Sequence, residues 1–556
     1  MRKKKILLIA FLICLVLILP GAIYYKLHLY KLTYVKSYLY KPEESYITDN
    51  QRKIDIEKYD LSFDLYPAER MFKATAVING EVKDLAISNI DLNFYDNFKI
   101  NKVTFNDLES EYEIEGTKFS IPFALSLGEK FKIEIHYEGT PEKAGLEGFV
   151  FGSRNGTSLV YNLSEPTFAS TWFPCNDIPN DKTLLDISIT NDSNMVSVSN
   201  GVLIDIKTDG SRKTYHWQTK YPISTYLVAI YSSDYVNYSE QYISLDGKDT
   251  MNIEYYVLPD KLEKAKSDFA NQLSMLKYFS KTFGEYPFIK EKYGVAEFLW
   301  QLGAMEHQTI TGVSSTLIGG KKFFEDVFAH ELAHQWWGNA VGLKTWEDIW
   351  LNEGFSSYSE ALYRESLTGK KALQSTMLSK YSNSFSGTLA NPGDFLFTRT
   401  VYDKGAWVLH MLRWEVGDSL FFKILRTYFE TFKYSNASTS DFIDISKKIS
   451  GRDLDKFFDQ WVNGEGKIEL EWNSSIVQFG DEYKTTLIVK QIQEEYKEYH
   501  FSLEVKFVFK DSTEKSFIYN IVSGDTVLEI YSDEYPEMIE LDPDSLLLAS
   551  IKPREE

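Results

Sequence analysis

The sequence is poor in cysteine: its 556 residues contain only Cys14 and Cys175. Cys14 lies in an apolar run near the N-terminus, so the rest of the chain cannot close an internal disulfide, and oxidation does not hold its fold together. Cys175 is expected to be a small buried residue. The sequence also contains no internal repeat and no low-complexity tract.

Positive charge is the second shortage. Lys and Arg number 60 against 80 Asp and Glu, which gives a net charge of −20 and a pI near 5.0. Because nucleic-acid binding depends on neutralising phosphates with Lys and Arg, no nucleic-acid partner is expected. An acidic surface is compatible with cationic ligands such as peptide amino termini. A hydrophobic content of 44% excludes disorder for most of the chain.

A long uncharged run occurs at Ile6–Tyr25, directly after the basic stretch Arg2–Lys5. At about 1.5 Å per residue a helix of this length spans the roughly 30 Å hydrocarbon layer. The basic residues before it favour a cytoplasmic N-terminus. The run therefore predicts an N-terminal transmembrane helix that anchors an extracytoplasmic protein in the cell membrane. The alternative is a signal peptide whose cleavage releases a secreted protein.

The remaining patterns predict a multidomain α+β fold. Tyr59, Leu61, Phe63 and Leu65 alternate with polar residues as in a half-buried strand, and period-two alternation returns after Gly466. Helical spacing dominates between these two regions. Roughly three or four domains are expected from the length. The predicted boundaries are an anchor or signal segment at 1–25, a stalk at 26–52, an all-β domain at 53–250, a mainly helical domain at 251–466 and a small β-sandwich at 467–556.

The segment HELAH within the helical region contains His330 and His334 four residues apart, so on a helix both imidazoles project from one face. Glu331 lies between them, placed to reach a water on the same metal as a general base. Glu353 follows in a second helical segment and can supply a carboxylate ligand. Two His and one Glu leave the fourth tetrahedral position open, as in catalytic zinc sites. The pattern predicts one Zn²⁺ per chain and the chemistry of a metallopeptidase.

Longer motifs around this site resemble peptidase family M1, the gluzincins that include aminopeptidase N and leukotriene A4 hydrolase. The resemblance rests on HELAHQWWGN with WLNEGF, on LGAMEHQTITG at 302–312, on VYDKGAWVLHML at 401–412, on SEPTFASTWFPCNDIPNDK at 164–182 and on FFDQWVNGEG at 457–466. It implies a thermolysin-like catalytic domain and a zinc aminopeptidase that acts on peptides with a free N-terminus.

The resemblance also implies substrate-binding roles. Family members hold the α-amine of the substrate with a glutamate that matches Glu306, assisted by a residue that matches Glu165. An α-amine has a pKa near 7.7–8.0, so at neutral pH it is largely an ammonium suited to two carboxylates. Holding that charge beside the metal restricts cleavage to the first peptide bond.

Tyr402 matches the family tyrosine that donates a hydrogen bond to the oxyanion, for which a protonated phenol is well suited. Backbone groups of Gly303 and Ala304 are expected to line an extended substrate, with Met305 near the first residue. His307 stands where the family usually has Asn, and it is expected to shape the same subsite.

Other interpretations of the motif stay open at this point. A thermolysin-like endopeptidase also uses HExxH with a downstream Glu but needs no ammonium anchor. An epoxide hydrolase of the leukotriene type and a catalytically dead, membrane-tethered binding protein are further alternatives. The family's large helical C-terminal domain has no counterpart in the sequence, so the cleft is expected to be open or covered by another subunit. Patterns give no oligomeric state.

Overall fold

A computed structural model describes residues 41–496 and 498–554. The predicted transmembrane run at 6–25, and residues 26–40 of the predicted stalk, lie outside the described residues. Within the described ranges, no helix combines the length and apolar character that crossing a bilayer requires. The longest, Trp350–Thr368, carries Glu and Arg side chains along its length. The predicted location in the cell membrane is therefore wrong, and the membrane is not retained as a partner.

The N-terminal part of the described chain is built from β-strands in a sheet of eight, a sheet of four and a sheet of three, in the orders β13-β14-β11-β1-β2-β8-β4-β5, β12-β15-β10-β9 and β3-β7-β6. These strands are β1 Ile54–Tyr66, β2 Met71–Val82, β3 Ile90–Asn93, β4 Lys99–Phe105, β5 Leu108–Glu109, β6 Glu113–Glu115, β7 Lys118–Ile121, β8 Lys130–Gly139, β9 Gly148–Arg154, β10 Thr157–Leu163, β11 Leu184–Asp192, β12 Val196–Val198, β13 Val202–Asp209, β14 Arg212–Gln218 and β15 Tyr231–Ser233.

The apolar residues that alternate with polar ones along β1 form its buried face. Tyr59, Leu61, Phe63 and Leu65 are all buried, as predicted from the period of two. β1 pairs with β2 in antiparallel and with β11 in parallel orientation, so it lies inside the eight-stranded sheet. Strand β10 ends two residues before Glu165, so the end of this strand places Glu165 near the helical region.

A second, five-stranded sheet has the order β16-β17-β18-β20-β19. Its strands are β16 Val236–Ile243, β17 Thr250–Val257, β18 Tyr293–Phe298, β19 Ala304–Met305 and β20 Thr311–Ser314. The boundary predicted between residues 250 and 251 therefore falls inside β17. Residues 251–257, which the prediction placed in the mainly helical domain, are thus part of a strand that pairs with β18.

The helical region follows this sheet. Its α-helices are α1 Leu262–Asp268, α2 Gln272–Phe283, α3 Glu325–Ala333, α4 Trp350–Thr368, α5 Lys370–Ser379, α6 Gly405–Val416, α7 Asp418–Phe432, α8 Thr439–Ser450 and α9 Asp455–Phe458, with π-helices at Thr400–Lys404 and Asp459–Asn463 and a two-stranded sheet of β21 Val341–Leu343 and β22 Ser435–Ala437. Short 3₁₀ helices lie at Glu44–Tyr46, Gln51–Lys53, Ala169–Thr171, Thr225–Leu227, Pro259–Lys261 and Trp346–Asp348.

Helices α4 and α6 cross where two glycines meet. A Cβ added to Gly354 would lie 2.9 Å from Cα of Gly405, and one added to Gly405 would lie 2.8 Å from Cα of Gly354. Real Cβ atoms do not approach backbone so closely, so only glycine fits at either position. The crossing brings the start of α4, with Glu353, against the π-helix that carries Tyr402.

The last part of the described chain forms two small sheets, in the orders β27-β24-β23-β29 and β26-β25-β28. The strands are β23 Ile468–Phe479, β24 Glu482–Gln491, β25 Phe501–Val508, β26 Glu514–Ile521, β27 Asp525–Ser532, β28 Met538–Leu541 and β29 Ala549–Pro553. Gln460 joins them to the helical region, because its amide donates to the carbonyl of His500 at 2.7 Å and accepts from the His500 N–H at 2.9 Å.

Candidate metal centre and active site

Two helices supply the three predicted metal ligands. His330 lies in α3, and His334 lies just beyond its last residue, still in helical conformation, so the two imidazoles project from one face one turn apart. Glu353 lies in the first turn of α4. All three side chains are largely buried.

The ligand atoms are spaced for a tetrahedral ion. Nε2 of His330 and Nε2 of His334 are 3.0 Å apart, and Oε2 of Glu353 lies 3.2 Å from the first and 3.5 Å from the second. Ligands at about 2.0–2.1 Å from a tetrahedral zinc lie roughly 3.3 Å from one another. The donor set and its spacing therefore fit zinc.

Contacts behind the imidazoles fix which nitrogen faces the ion. Nδ1 of His330 lies 2.8 Å from Glu360, whose other oxygen accepts from Nζ of Lys380 at 2.8 Å, and Nδ1 of His334 lies 3.0 Å from the carbonyl of Trp337. A proton on each Nδ1 leaves each Nε2 lone pair free for a metal. Sequence reasoning missed Glu360, although it lies seven residues after Glu353, two turns along the same helix face.

Three further carboxylates converge on the same place. One oxygen each of Glu165, Glu306 and Glu331 is buried without a hydrogen-bond partner among the described residues. Ligand atoms of Glu165, Glu306 and Glu353 lie within 4.8 Å of one another, as do those of Glu306, Glu331 and His334. Buried carboxylates without partners are costly, so this arrangement is complete only with a cation and a hydrogen-bond donor bound.

Burial and mutual proximity shift the pKa values of these carboxyl groups. Burial, opposed by His330 and reinforced by Glu306, raises the pKa of Glu331 to about 8. Burial and the charge of Glu306 raise the pKa of Glu165 well above its usual range. Burial acts in the same direction on Glu353, but the imidazoles of His334 and His330 outweigh it and lower the pKa of Glu353 to about 2. The pocket therefore favours ligands of positive charge.

Tyr402 lies in the π-helix, a local widening of the helix that is frequent at functional sites. Its ring stacks against that of His330 with centroids 6.0 Å apart. Burial and the negative charge of Glu353 raise the pKa of the Tyr402 hydroxyl well above its usual value, so the phenol keeps its proton. It is thus a hydrogen-bond donor beside the ligand cluster.

A cavity of about 360 Å³ joins these groups. It is lined by every site residue predicted from the sequence except His307, together with the apolar side chains of Leu146, Leu163, Trp300, Leu302, Val327 and Phe397. Ala304 and Met305 form β19, the edge strand of the five-stranded sheet, which pairs on one side only with β20. An edge strand offers free backbone groups to an extended peptide.

His307 lies behind the cavity rather than on its wall. The side chain is fully buried, and its Nδ1 lies 2.6 Å from the hydroxyl of Tyr231 in β15. The next residues of the turn are also held by the N-terminal sheets: Nδ2 of Asn200 donates to the carbonyl of Gln308 at 2.8 Å, and the N–H of Gly201 donates to Oγ1 of Thr309 at 2.9 Å. His307 is therefore not among the residues that line the cavity, and its expected effect on the subsite stays a prediction.

Comparison with known families agrees with the geometry. Residues 56–227 match the model of the peptidase M1 N-terminal domain, and residues 268–461 match that of the peptidase family M1 domain. The chain belongs to peptidase family M1. This M1 chain is 27% identical over 389 residues to probable aminopeptidase 2 of Sulfurisphaera tokodaii, a match that covers 62% of the chain and 48% of the relative. It spans about half the length of the curated relatives that it matches first.

Solved structures resemble it more completely. A mutant M1 zinc metallopeptidase from Deinococcus radiodurans, bound to a Tyr-Ser-Ala substrate, is 26% identical with a TM-score of 0.65, covering 75% of this chain and 96% of that one. Legionella pneumophila aminopeptidase A, solved with aspartic acid, has a TM-score of 0.78 at 19% identity and covers 91% of this chain and 60% of that one. The second likeness concerns the fold alone.

Proposed function

We propose that this chain is a zinc aminopeptidase that removes the first residue of peptides with a free N-terminus. His330, His334 and Glu353 would hold the ion. Zinc bound there supplies a Lewis acid for the peptide carbonyl and lowers the pKa of water toward about 7. The observation that carries the proposal is the set of unpartnered, buried carboxylate oxygens of Glu165 and Glu306 beside a zinc-competent triad.

The residues of the chain divide the remaining work. Glu331 accepts the proton of the attacking water and returns it to the leaving amine, as its position beside the ligands allows. Tyr402 donates to the oxygen that becomes negative. Glu165 and Glu306 bind the α-ammonium, and the backbone of Gly303 and of the adjoining strand β19 orients the peptide.

Substrates with free and acetylated N-termini test the proposal on the zinc-loaded full chain. We expect hydrolysis of a free aminoacyl peptide and loss of most activity on its acetylated form, because the amide cannot pair with Glu165 and Glu306. Equal rates on both forms would indicate an endopeptidase instead, and absence of metal binding and hydrolysis would refute the proposal.

Replacing the general base tests the division of labour. Glu331→Gln should retain zinc but lose turnover, because an amide cannot take the proton of water. Glu325→Gln is a matched control, since Glu325 lies on the same helix but pairs with Asn271 and Arg364 away from the cavity. The control should keep its turnover number.

A further inference from the structure

The cavity wall is apolar beyond the carboxylates, the two histidines and Tyr402. Its side chains come from separate segments of the chain: Leu146, Leu163, Trp300, Leu302, Val327 and Phe397. No Lys or Arg of the described chain lines this cavity. The wall therefore offers no partner for a negative side chain and no hydrogen bonds for a strongly polar one.

An acidic first residue would meet repulsion as well as desolvation. Its carboxylate would enter a space that already holds Glu165, Glu306, Glu331 and Glu353. Like charges within a few ångströms in a poorly hydrated site repel each other strongly unless a proton is taken up. A basic first side chain would not be repelled by these carboxylates. However, Glu165 and Glu306 already bind the α-ammonium, so the charge of the basic side chain would lie against an apolar wall.

We propose, resting on the aminopeptidase function above, that the substrates are peptides whose first residue is uncharged and apolar, such as Leu, Met or Phe. The volume of about 360 Å³ corresponds to roughly a dozen water molecules at ~30 Å³ each. That space accommodates such a residue together with its peptide bond. Trp300 and Phe397, the largest apolar side chains of the wall, set the preference.

A panel of aminoacyl-naphthylamides with Leu, Phe, Ala, Lys and Glu tests this class on the zinc-loaded full chain. We expect kcat/KM for Leu and Phe to exceed that for Ala about tenfold or more, since each methylene in an apolar pocket is worth about 10–200-fold. The Glu substrate should be slower still. If the Glu or Lys substrate were hydrolysed as fast as the Leu substrate, this inference alone would be overturned. If none of the naphthylamides were hydrolysed, the proposed function itself would be refuted.

A charge placed in the wall should redirect the preference. Phe397→Arg should raise the Glu-to-Leu ratio of kcat/KM at least about tenfold, because it supplies the missing cation. The ratio is independent of the fraction of enzyme that folds. Phe323→Arg is the control, since Phe323 is 82% exposed and lies outside the cavity lining. An unchanged ratio in Phe397→Arg would remove Phe397 from the specificity wall.

A separate observation concerns the turn that carries Glu306. Tyr231 reaches from the N-terminal strand β15 to His307, and its hydroxyl oxygen lies where a Cβ on Gly312 would come within 2.2 Å. From the other side, Nδ2 of Asn339 donates to the carbonyl of Glu306 at 2.7 Å. The residue that follows the ammonium-binding glutamate is thus fixed by a side chain from another part of the molecule.

The geometry points to Tyr231 and His307 as positioning residues for Glu306. Because Glu306 lines the cavity and the adjacent His307 is buried behind it against Tyr231, an anchor on His307 sets the direction in which Glu306 projects. A misplacement of about 1 Å at a binding group can cost up to about 100-fold in rate. Removal of the Tyr231 hydroxyl should therefore shift the Glu306 carboxylate and weaken its binding of the ammonium.

Tyr231→Phe, with Tyr235→Phe as matched control, tests this role. Tyr235 also donates a buried 2.6 Å hydrogen bond, but to the carbonyl of Glu297 outside the turn. The measured quantity is the ratio of inhibition constants for leucinamide and its deaminated counterpart, 4-methylpentanamide. We expect the preference for the amine to fall about tenfold in Tyr231→Phe only. Equal ratios in both variants would make the Tyr231 contact merely structural.

Discussion

Glu360→Gln should weaken zinc binding without disrupting the ligands themselves. Glu360 touches no metal position, but its two oxygens lie 2.8 Å from Nδ1 of His330 and 2.8 Å from Nζ of Lys380. The carboxylate makes the imidazole a better ligand and holds its tautomer, whereas the amide of Gln keeps the shape and loses the charge. Comparable partners behind zinc ligands contribute about 10–100-fold in affinity, or about 1.4–2.7 kcal/mol.

Zinc affinity is measured by competition with a chromophoric chelator on the full chain. The control is Glu365→Gln, on the same helix α4, because Glu365 accepts two hydrogen bonds from the guanidinium of Arg413 at 2.6 and 3.1 Å, away from the ligands. The control should lose stability but bind zinc as the unaltered chain does. An unchanged zinc Kd in Glu360→Gln, or an equal loss in both variants, would refute the reasoning.

Two further predictions concern stability. Gly354→Ala should lower the free energy of unfolding by about 1–3 kcal/mol, although Ala usually favours a helix, because its Cβ would collide with Gly405; a urea titration with an unchanged or higher midpoint would contradict this. Burial raises the pKa of Asp181 to about 7, above about 3.9 in an unfolded chain. The folded state then binds the extra proton between these values, so stability falls as the pH rises from about 4 to 7. Asp181→Asn should make that decline smaller, as followed by urea unfolding at several pH values; equal slopes would argue against the shift.

The ligand triad is the part of the site that local patterns predict best. Helical periodicity determines that His330 and His334 share a face, and the same period places Glu360 two turns beyond Glu353. The wall residues behave differently. Leu146, Trp300 and Phe397 come from distant segments, and only tertiary packing brings them together, so no local pattern marks them.

Neighbouring residues can also diverge in ways that a motif conceals. Glu306 and His307 are adjacent in sequence, yet one faces the cavity and the other faces β15. The motif match grouped them as substrate contacts because it records order along the chain and not direction. In the same way, the predicted boundary after residue 250 separated β16 from most of β17, although the two strands pair in one sheet.

The contacts of Asn200 and Gly201 with residues 308 and 309 bear on how this chain can be divided. A fragment that began after β15 would lack Asn200, which donates a hydrogen bond to the carbonyl of Gln308. A buried acceptor that loses its donor lowers the free energy of unfolding by about 1–3 kcal/mol. If the helical region is expressed alone or grafted onto another scaffold, we expect the turn that carries Glu306 to be less well ordered, even where the zinc ligands keep their positions. The two segments that match the family models therefore depend on contacts with each other.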